Sequence, residues 1–315
     1  MTQDNKYDKI VGDENAKGIT VKTFLKLIAV LLILALGVVL FYVPHYFLTD
    51  ATVEISDEVT DTITVMSTNV RFYNPLDVFK RSWFYRASLI VDDVNSVKPD
   101  IIGFQEATVI HYNYLTDAMP DYSSEMAYRD NFILSEGCPI FYRTDRFELI
   151  DSGSFWLSET PEVMSKDWGS EHYRICVYVI LKDVESGKEF AVFNTHLDHT
   201  SDEARINGIK VVLDKISAFG DVPAILMGDL NAKEDTETMK SAYESFDDAM
   251  KLAPITEDTS TYHNWGNASK AKRIDYVLVS CDDATVAEYH VLDNSHDGVY
   301  SSDHASIYVK LKFND

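Results

Sequence analysis

Positive charge is what this chain has least of for its size: 28 Lys and Arg stand against 51 Asp and Glu, a formal net charge of −23 over 315 residues. Such a surface repels polyanions, which excludes a module built to grip nucleic acid by neutralising phosphates with Lys and Arg. Cysteine is scarce as well. Cys138, Cys176 and Cys281 are odd in number and lack C-x-x-C spacing, so neither a disulfide framework nor a structural zinc site is indicated, and three small buried apolar side chains are expected instead. There is no G-x-S-x-G, which removes the serine-hydrolase elbow. No Pro/Gly/Ser-rich linker or internal repeat divides the chain. Apolar material is plentiful: 46% of residues are hydrophobic and 12% aromatic, which excludes a disordered chain and supplies a sizeable core.

One stretch lacks charge altogether. From Leu27 to Val43 no side chain is charged, and the apolar character runs on to Phe47 apart from Pro44 and His45. At about 1.5 Å per residue, a helix over 24–47 covers a hydrocarbon core of about 30 Å. Lys17, Lys22 and Lys26 precede it, while Asp50, Glu54, Asp57 and Glu58 follow. The positive-inside bias then places the N-terminus in the cytoplasm and the larger part of the chain outside. A cleaved signal peptide shares the basic start, but its apolar core is shorter and ends at a small-residue cleavage site, so an uncleaved signal anchor is the expectation. The resulting division is a cytoplasmic tail (1–23), a transmembrane anchor (24–47), an acidic spacer (48–61) and one domain (62–315).

Within that domain, β-branched runs at 63–70, 100–106, 189–197, 223–231, 273–280 and 304–313 predict strands. Helical spacing at 86–97 and 202–219, the latter with Ile206, Ile209, Leu213 and Ile216, predicts helices between them. Asn, Glu, His and Asp recur at the ends of the strand-like runs, and polar residues gathered at strand ends make a site.

The points T-N-V (Asn69), G-F-Q-E (Glu106), N-T-H-L (His196), G-D-L-N-A (Asp229, Asn231), R-I-D-Y (Asp275) and S-S-D-H (Asp303, His304), in that order, resemble the endonuclease/exonuclease/phosphatase superfamily across nearly the whole domain. The resemblance, extended by G-S-F-W-L-S-E-T-P-E (153–162), points to a membrane-tethered bacterial-type member. It implies an α/β fold, a four-layer α/β/β/α sandwich with the site at one edge, here preceded by a single transmembrane helix.

It also implies a metal-dependent phosphoesterase. Phosphoester hydrolysis needs charge neutralisation, an in-line water and a proton for the leaving oxygen. Asn69, Glu106, Asp303 and Asp229 are the implied oxygen ligands of Mg²⁺, with Mn²⁺ or Ca²⁺ as alternatives and one or two ions possible. The implied base is His304 paired with Asp275, or Asp229. Glu136, in S-E-G-C-P, is the candidate partner of His196, which would serve as acid or as a phosphate donor. Asn231 and Arg174 are the implied phosphate contacts. The substrate is a phosphoester: nucleic acid, inositol phosphate or phospholipid headgroup. A basic cluster of Arg71, Lys80, Arg81 and Arg86 is a candidate contact surface. The lipid bilayer is the other expected partner, through the anchor. The alternative is a non-catalytic ectodomain that keeps the fold.

Overall fold

The computed structural model describes residues 20–49, 51–55, 60–257 and 259–314. Most of the expected cytoplasmic tail, including Lys17, and Asp50, Asp57 and Glu58 of the expected spacer lie outside the described residues. The chain divides into two compact units, Met1–Pro44 and His45–Asp315.

The first unit holds most of helix α1 (Val21–Phe47), whose 27 residues are long and apolar enough to cross a membrane. The second unit begins earlier than the predicted domain. Residues 51–55 are no free spacer: Val53 is buried, its N–H donates to the Ala118 carbonyl, and the Glu54 N–H donates to Asn95 Oδ1.

Its elements in chain order are β1 (Ile63–Asn69), α2 (Trp83–Val97), β2 (Ile101–Gln105), α3 (Val109–Ala118), β3 (Tyr122–Glu125), β4 (Ile140–Arg143), β5 (Phe147–Trp156), β6 (Ile175–Asp183) and β7 (Glu189–His196). Then follow α4 (Asp202–Ser217), β8 (Ala224–Asp229), α5 (Glu237–Ala242), β9 (Phe246–Asp248), α6 (Ala249–Leu252), β10 (Asp275–Ser280), β11 (Ala284–Val291), β12 (Ser295–His296), β13 (Val299–Tyr300) and β14 (Ile307–Phe313). Two six-stranded mixed sheets result, in the orders β11-β14-β1-β2-β4-β3 and β5-β6-β7-β8-β10-β9.

Three apolar clusters define the four layers. One fills the space between the sheets, with Val65, Ile101, Val192 and Met227 among its members. A second packs Ile209 and Val212 of α4 onto the outer face of one sheet, and a third packs Ala87, Ile90, Val91 and Val94 of α2 onto the other. The sequence dictates both helices locally. Ser201 caps α4 by accepting from the Ala204 N–H, with Asp202 and Glu203 in the first turn and Lys215 in the last, each favourable to the helix dipole. α2 ends at Lys98, held left-handed (φ 50°) before Pro99, which disfavours further helix. Two of the three cysteines behave as expected, but Cys281 is exposed, because it follows β10 in a surface turn.

The topology positions the site. β1 and β2 pair in parallel, with α2 in the connection, and β7 and β8 pair in parallel, with α4 between them. Parallel pairing brings the C-terminal ends of the paired strands to the same edge. The sheets approach closely: a Cβ on Gly103 would stand 2.6 Å from Met227 Cε. Within one sheet β7 and β8 crowd at Gly228 (φ 139°), where a Cβ would stand 1.9 Å from the Thr195 carbonyl oxygen. Between the sheets, Gln105 Nε2 donates to Asn194 Oδ1 at 2.7 Å.

Candidate active site

Strand register assembles the centre. His196, the last residue of β7, lies opposite Asp229, the last of β8, and Asp229 lies opposite Asp275, the first of β10. From the other sheet come Asn69, ending β1, and Glu106, directly after β2, while Asp303 and His304 precede β14. Three residues here hold positive φ without being glycine: Arg71 (60°), Glu106 (61°) and Asn231 (47°). Such backbone costs of order 1–3 kcal/mol per residue and persists where the surroundings impose it.

The carboxylates crowd together. Asn69 Nδ2 donates to Glu106 Oε1 (3.0 Å) and to Asp229 Oδ2 (3.1 Å), bridging the two. Its Oδ1 accepts from the Arg71 N–H at 2.9 Å. Asn69 thus directs its N–H₂ at the two carboxylates while its oxygen accepts from the Arg71 backbone. Glu106 Oε2 accepts from the Phe72 N–H at 2.6 Å. Asp303 is buried, its Oδ1 has no hydrogen-bond partner, and the Arg71 guanidinium lies 3.6 Å from its Oδ2. Burial raises the Asp303 carboxyl above its ordinary value, and Glu106 adds to the rise. Burial, with Asp275 close by, pushes the Asp229 carboxyl up to about 7. Buried carboxylates with too few cations, one with an orphaned oxygen, fit a hard divalent ion. Glu106, Asp229 and His196 each present a ligand atom within 4.8 Å of the others.

The two central histidines take opposite states. His304 Nδ1 lies 2.9 Å from Asp275 Oδ2, and its Nε2 lies 3.7 Å from Asp229 Oδ2. Burial opposes its charge, but Asp275, Asp229 and Asp303 outweigh it and carry the ring up to about 10. These carboxylates thus favour the charged form of His304, against the expectation of a resting base. His196 is held well below its ordinary value, by burial first and by Arg174 and Arg129 next. The Asn231 amide, anchored to the Leu197 carbonyl at 3.1 Å, donates to His196 Nε2 at 3.0 Å. That nitrogen carries a lone pair, so His196 is no resting acid.

Glu136 is a second correction. It pairs with Arg129 Nη1 at 2.8 Å rather than with His196. Burial, with Glu106 nearby, raises it to about 7. Arg174 is buried at the cleft, its Nε 3.7 Å from Asp198 and its Nη2 3.1 Å from His199 Nδ1. A guanidinium only donates, so His199 Nδ1 accepts and Nε2 bears the hydrogen, 3.4 Å from Glu171. That tautomer disfavours metal on the neighbouring Glu171, His172 and His199 group.

These residues line one cleft of about 540 Å³, which also exposes Phe72, Tyr262 and Lys272. Arg129, His172 and His199 escape sequence reading, because no motif marks them. Thr261, which donates its hydroxyl to Asp275, is missed for the same reason. The expected basic cluster does not form as such. Arg86 is buried and donates to the carbonyls of Val70 and Ser301, which braces the backbone on either side of Asn69 and Asp303.

The family model for the Endonuclease/Exonuclease/phosphatase family matches residues 66–304. A solved family protein from Bacteroides thetaiotaomicron is 31% identical with a TM-score of 0.76, covering 81% of this chain and 98% of its own. A mannosyl-6-phosphatase of Bacteroides thetaiotaomicron VPI-5482 is also 31% identical, with a TM-score of 0.75, covering 80% of this chain and all of its own (100%). Nocturnin of Rattus norvegicus is 24% identical over 275 residues, covering 76% of this chain, and the chain spans 61% of that curated relative. With the fold, the strand-end residues and the family model in agreement, the chain belongs to the endonuclease/exonuclease/phosphatase family.

Proposed function

We propose that the chain is a membrane-anchored, divalent-cation-dependent phosphoester hydrolase of bacterial type, with its catalytic unit outside the cytoplasm. The observation that carries the reading is the convergence of Glu106, Asp229 and Asp303 with a charged His304 and a buried Arg174 in one cleft. Likeness to a mannosyl-6-phosphatase over that protein's full length supports a phosphoester substrate.

Glu106 and Asp303, with Asp229, would hold the cation, Mg²⁺ by the chemistry of these hard oxygen donors. When bound, it would supply charge neutralisation to the phosphoryl oxygens. Arg174 and Arg129 grip the phosphate through charge-assisted hydrogen bonds. Asp229, with its carboxyl near 7, accepts the proton of the attacking water. His304, fixed by Asp275 and Thr261, donates from Nε2 to a developing oxyanion. His196 holds the Asn231 amide in place, and Glu136 orients Arg129.

The test uses the full chain in detergent with bis-p-nitrophenyl phosphate, a sugar 6-phosphate, an inositol phosphate and RNA, each with Mg²⁺ or with EDTA. Turnover that EDTA abolishes and Mg²⁺ restores supports the reading, and turnover indifferent to EDTA overturns it. Labelling of the exposed Cys281 by a membrane-impermeant maleimide on intact cells tests the sidedness.

A further inference from the structure

The Asp303 carboxylate has little of its own to aim it. Its Oδ1 has no hydrogen-bond partner, and the Arg71 guanidinium stands 3.6 Å from its Oδ2. Its direction therefore comes from the main chain, which also sets the place of the neighbouring His304 ring.

That main chain is held at three successive carbonyls. Asn294, on the loop after β11, is buried, and its Nδ2 donates to the carbonyls of Ser302 (3.2 Å) and His304 (2.7 Å), one on each side of Asp303. The Asp303 carbonyl between them accepts from the N–H groups of His263 (3.1 Å) and Asn264 (3.0 Å). An amide N–H₂ has two hydrogens, and both are committed to this segment.

The orientation of the amide is set from its other end. The Gly266 N–H donates to His263 Nδ1 at 2.9 Å, so the hydrogen of the neutral ring sits on Nε2, which donates to Asn294 Oδ1 at 3.1 Å. Burial favours the neutral ring that this arrangement requires. The turn that makes it is strained: Asn264 (φ 45°) and Trp265 (φ 60°) are left-handed without being glycine, and a Cβ on Gly266 (φ 79°) would stand 2.6 Å from the Tyr300 ring. Strain of this kind persists only where the surroundings impose it, and it gathers at functional sites.

Resting on the hydrolase reading above, we propose that Asn294, oriented by His263, is a positioning residue for the reaction: it fixes the backbone of residues 302–304 and thereby aims the Asp303 carboxylate and the His304 ring into the cleft. Neither Asn294 nor His263 lines that cleft, and Arg129 and Arg174 stand on other loops. The effect therefore falls on turnover and on cation binding rather than on substrate affinity.

The test uses the full chain in detergent with bis-p-nitrophenyl phosphate over a series of Mg²⁺ concentrations. Asn294→Ala is expected to lower kcat about a hundredfold and to raise the Mg²⁺ needed for half the maximal rate about tenfold, with KM within about threefold. At position 263, glutamine places an N–H where Nε2 stands, whereas asparagine reaches only the place of Nδ1. His263→Gln is therefore expected to keep kcat within about threefold of the unaltered chain, and His263→Asn to lower it about thirtyfold. A folded Asn294→Ala with kcat and Mg²⁺ requirement within about twofold of the unaltered chain overturns the proposal. Equal turnover in the two His263 variants overturns it too, by reducing the pair to a brace of the fold, and decides the matter if Asn294→Ala does not fold. Mn²⁺ binding read by electron paramagnetic resonance needs no turnover: His263→Asn is expected to bind about tenfold more weakly than His263→Gln, and equal affinity overturns the proposal. If the unaltered chain hydrolyses no ester, the hydrolase reading fails, while the Mn²⁺ comparison still reads whether Asp303 is aimed.

Discussion

The two ends of the sandwich both bury charge, and they do it differently. At the N-terminal ends of β1 and β2, Arg143 meets Asp100 (3.2 Å) and Asp145 (2.7 Å), and Arg146 meets Asp100 (3.0 Å) and Asp183 (3.2 Å). The carboxylates have further donors as well: the Thr64 N–H donates to Asp100, and Arg146 donates to the Thr62 carbonyl, although its Nε has no partner. At the opposite end Glu106, Asp229, Asp275 and Asp303 converge on Arg71 and His304, and an oxygen of Asp303 remains without a partner. At the first end every acid meets an arginine, and the network serves the fold. The second is completed only from outside, which is the mark of a site rather than of a structural ion cluster.

The comparison breaks most visibly if a carboxylate is neutralised at the open end. Glu106→Gln is expected to lower kcat/KM by about a thousandfold or more, since it removes transition-state charge stabilisation. Its melting temperature should equal or exceed that of the unaltered chain without added metal, because one crowded charge is gone. A fall in melting temperature with activity retained would make the open end structural too. Arg143→Met should do the reverse. It leaves Asp100 buried with less compensation, an expected loss of about 3–5 kcal/mol in chemical unfolding, with kcat per folded molecule unchanged.

The smallest effect concerns His296, which pairs with the buried Asp93 at 2.7 Å. Both groups sit above their ordinary values, His296 through the hydrogen bond it donates to Asp93 and Asp93 through burial. A histidine raised on folding contributes stability in full below its unfolded value of about 6.5 and loses it as pH rises through its folded value. Asp93, also raised, adds to the same downward slope from lower pH. The gap in melting temperature between the unaltered chain and His296→Gln should therefore narrow from pH 6 to about pH 8.5, and a constant gap would show the pair to be electrostatically silent.

Much of the centre was legible because the strands announce it. Asn69, Glu106, His196, Asp229 and Asp275 each end, begin or directly follow a β-branched run, and parallel pairing delivers those ends to one edge. Strands at the sheet edges were less legible. β5 carries exposed residues through most of its length, and β3 and β9 are only four and three residues long, so their periodicity is weak. Pairings were read least well. Glu136 looked free to serve His196 until Arg129 arrived from seven residues upstream, and His199 lies at the surface as expected, but its bond to Arg174 across two strands was not legible. Protonation state was the least accessible of all. Whether His304 is base or donor depends on three carboxylates that no linear spacing brings beside it.

The left-handed backbone at Arg71 and Glu106 has a consequence for laboratory evolution of this protein. Glycine relieves the conformational cost at position 106 and removes a crowded charge there, whereas at position 71 it would strip the guanidinium that pairs with Asp77 and Asp303. A library sorted only for heat resistance should therefore accumulate glycine at position 106, and would discard the cleft's chemistry while its members looked progressively healthier. Selection for turnover has to be applied in every round for Glu106 to survive.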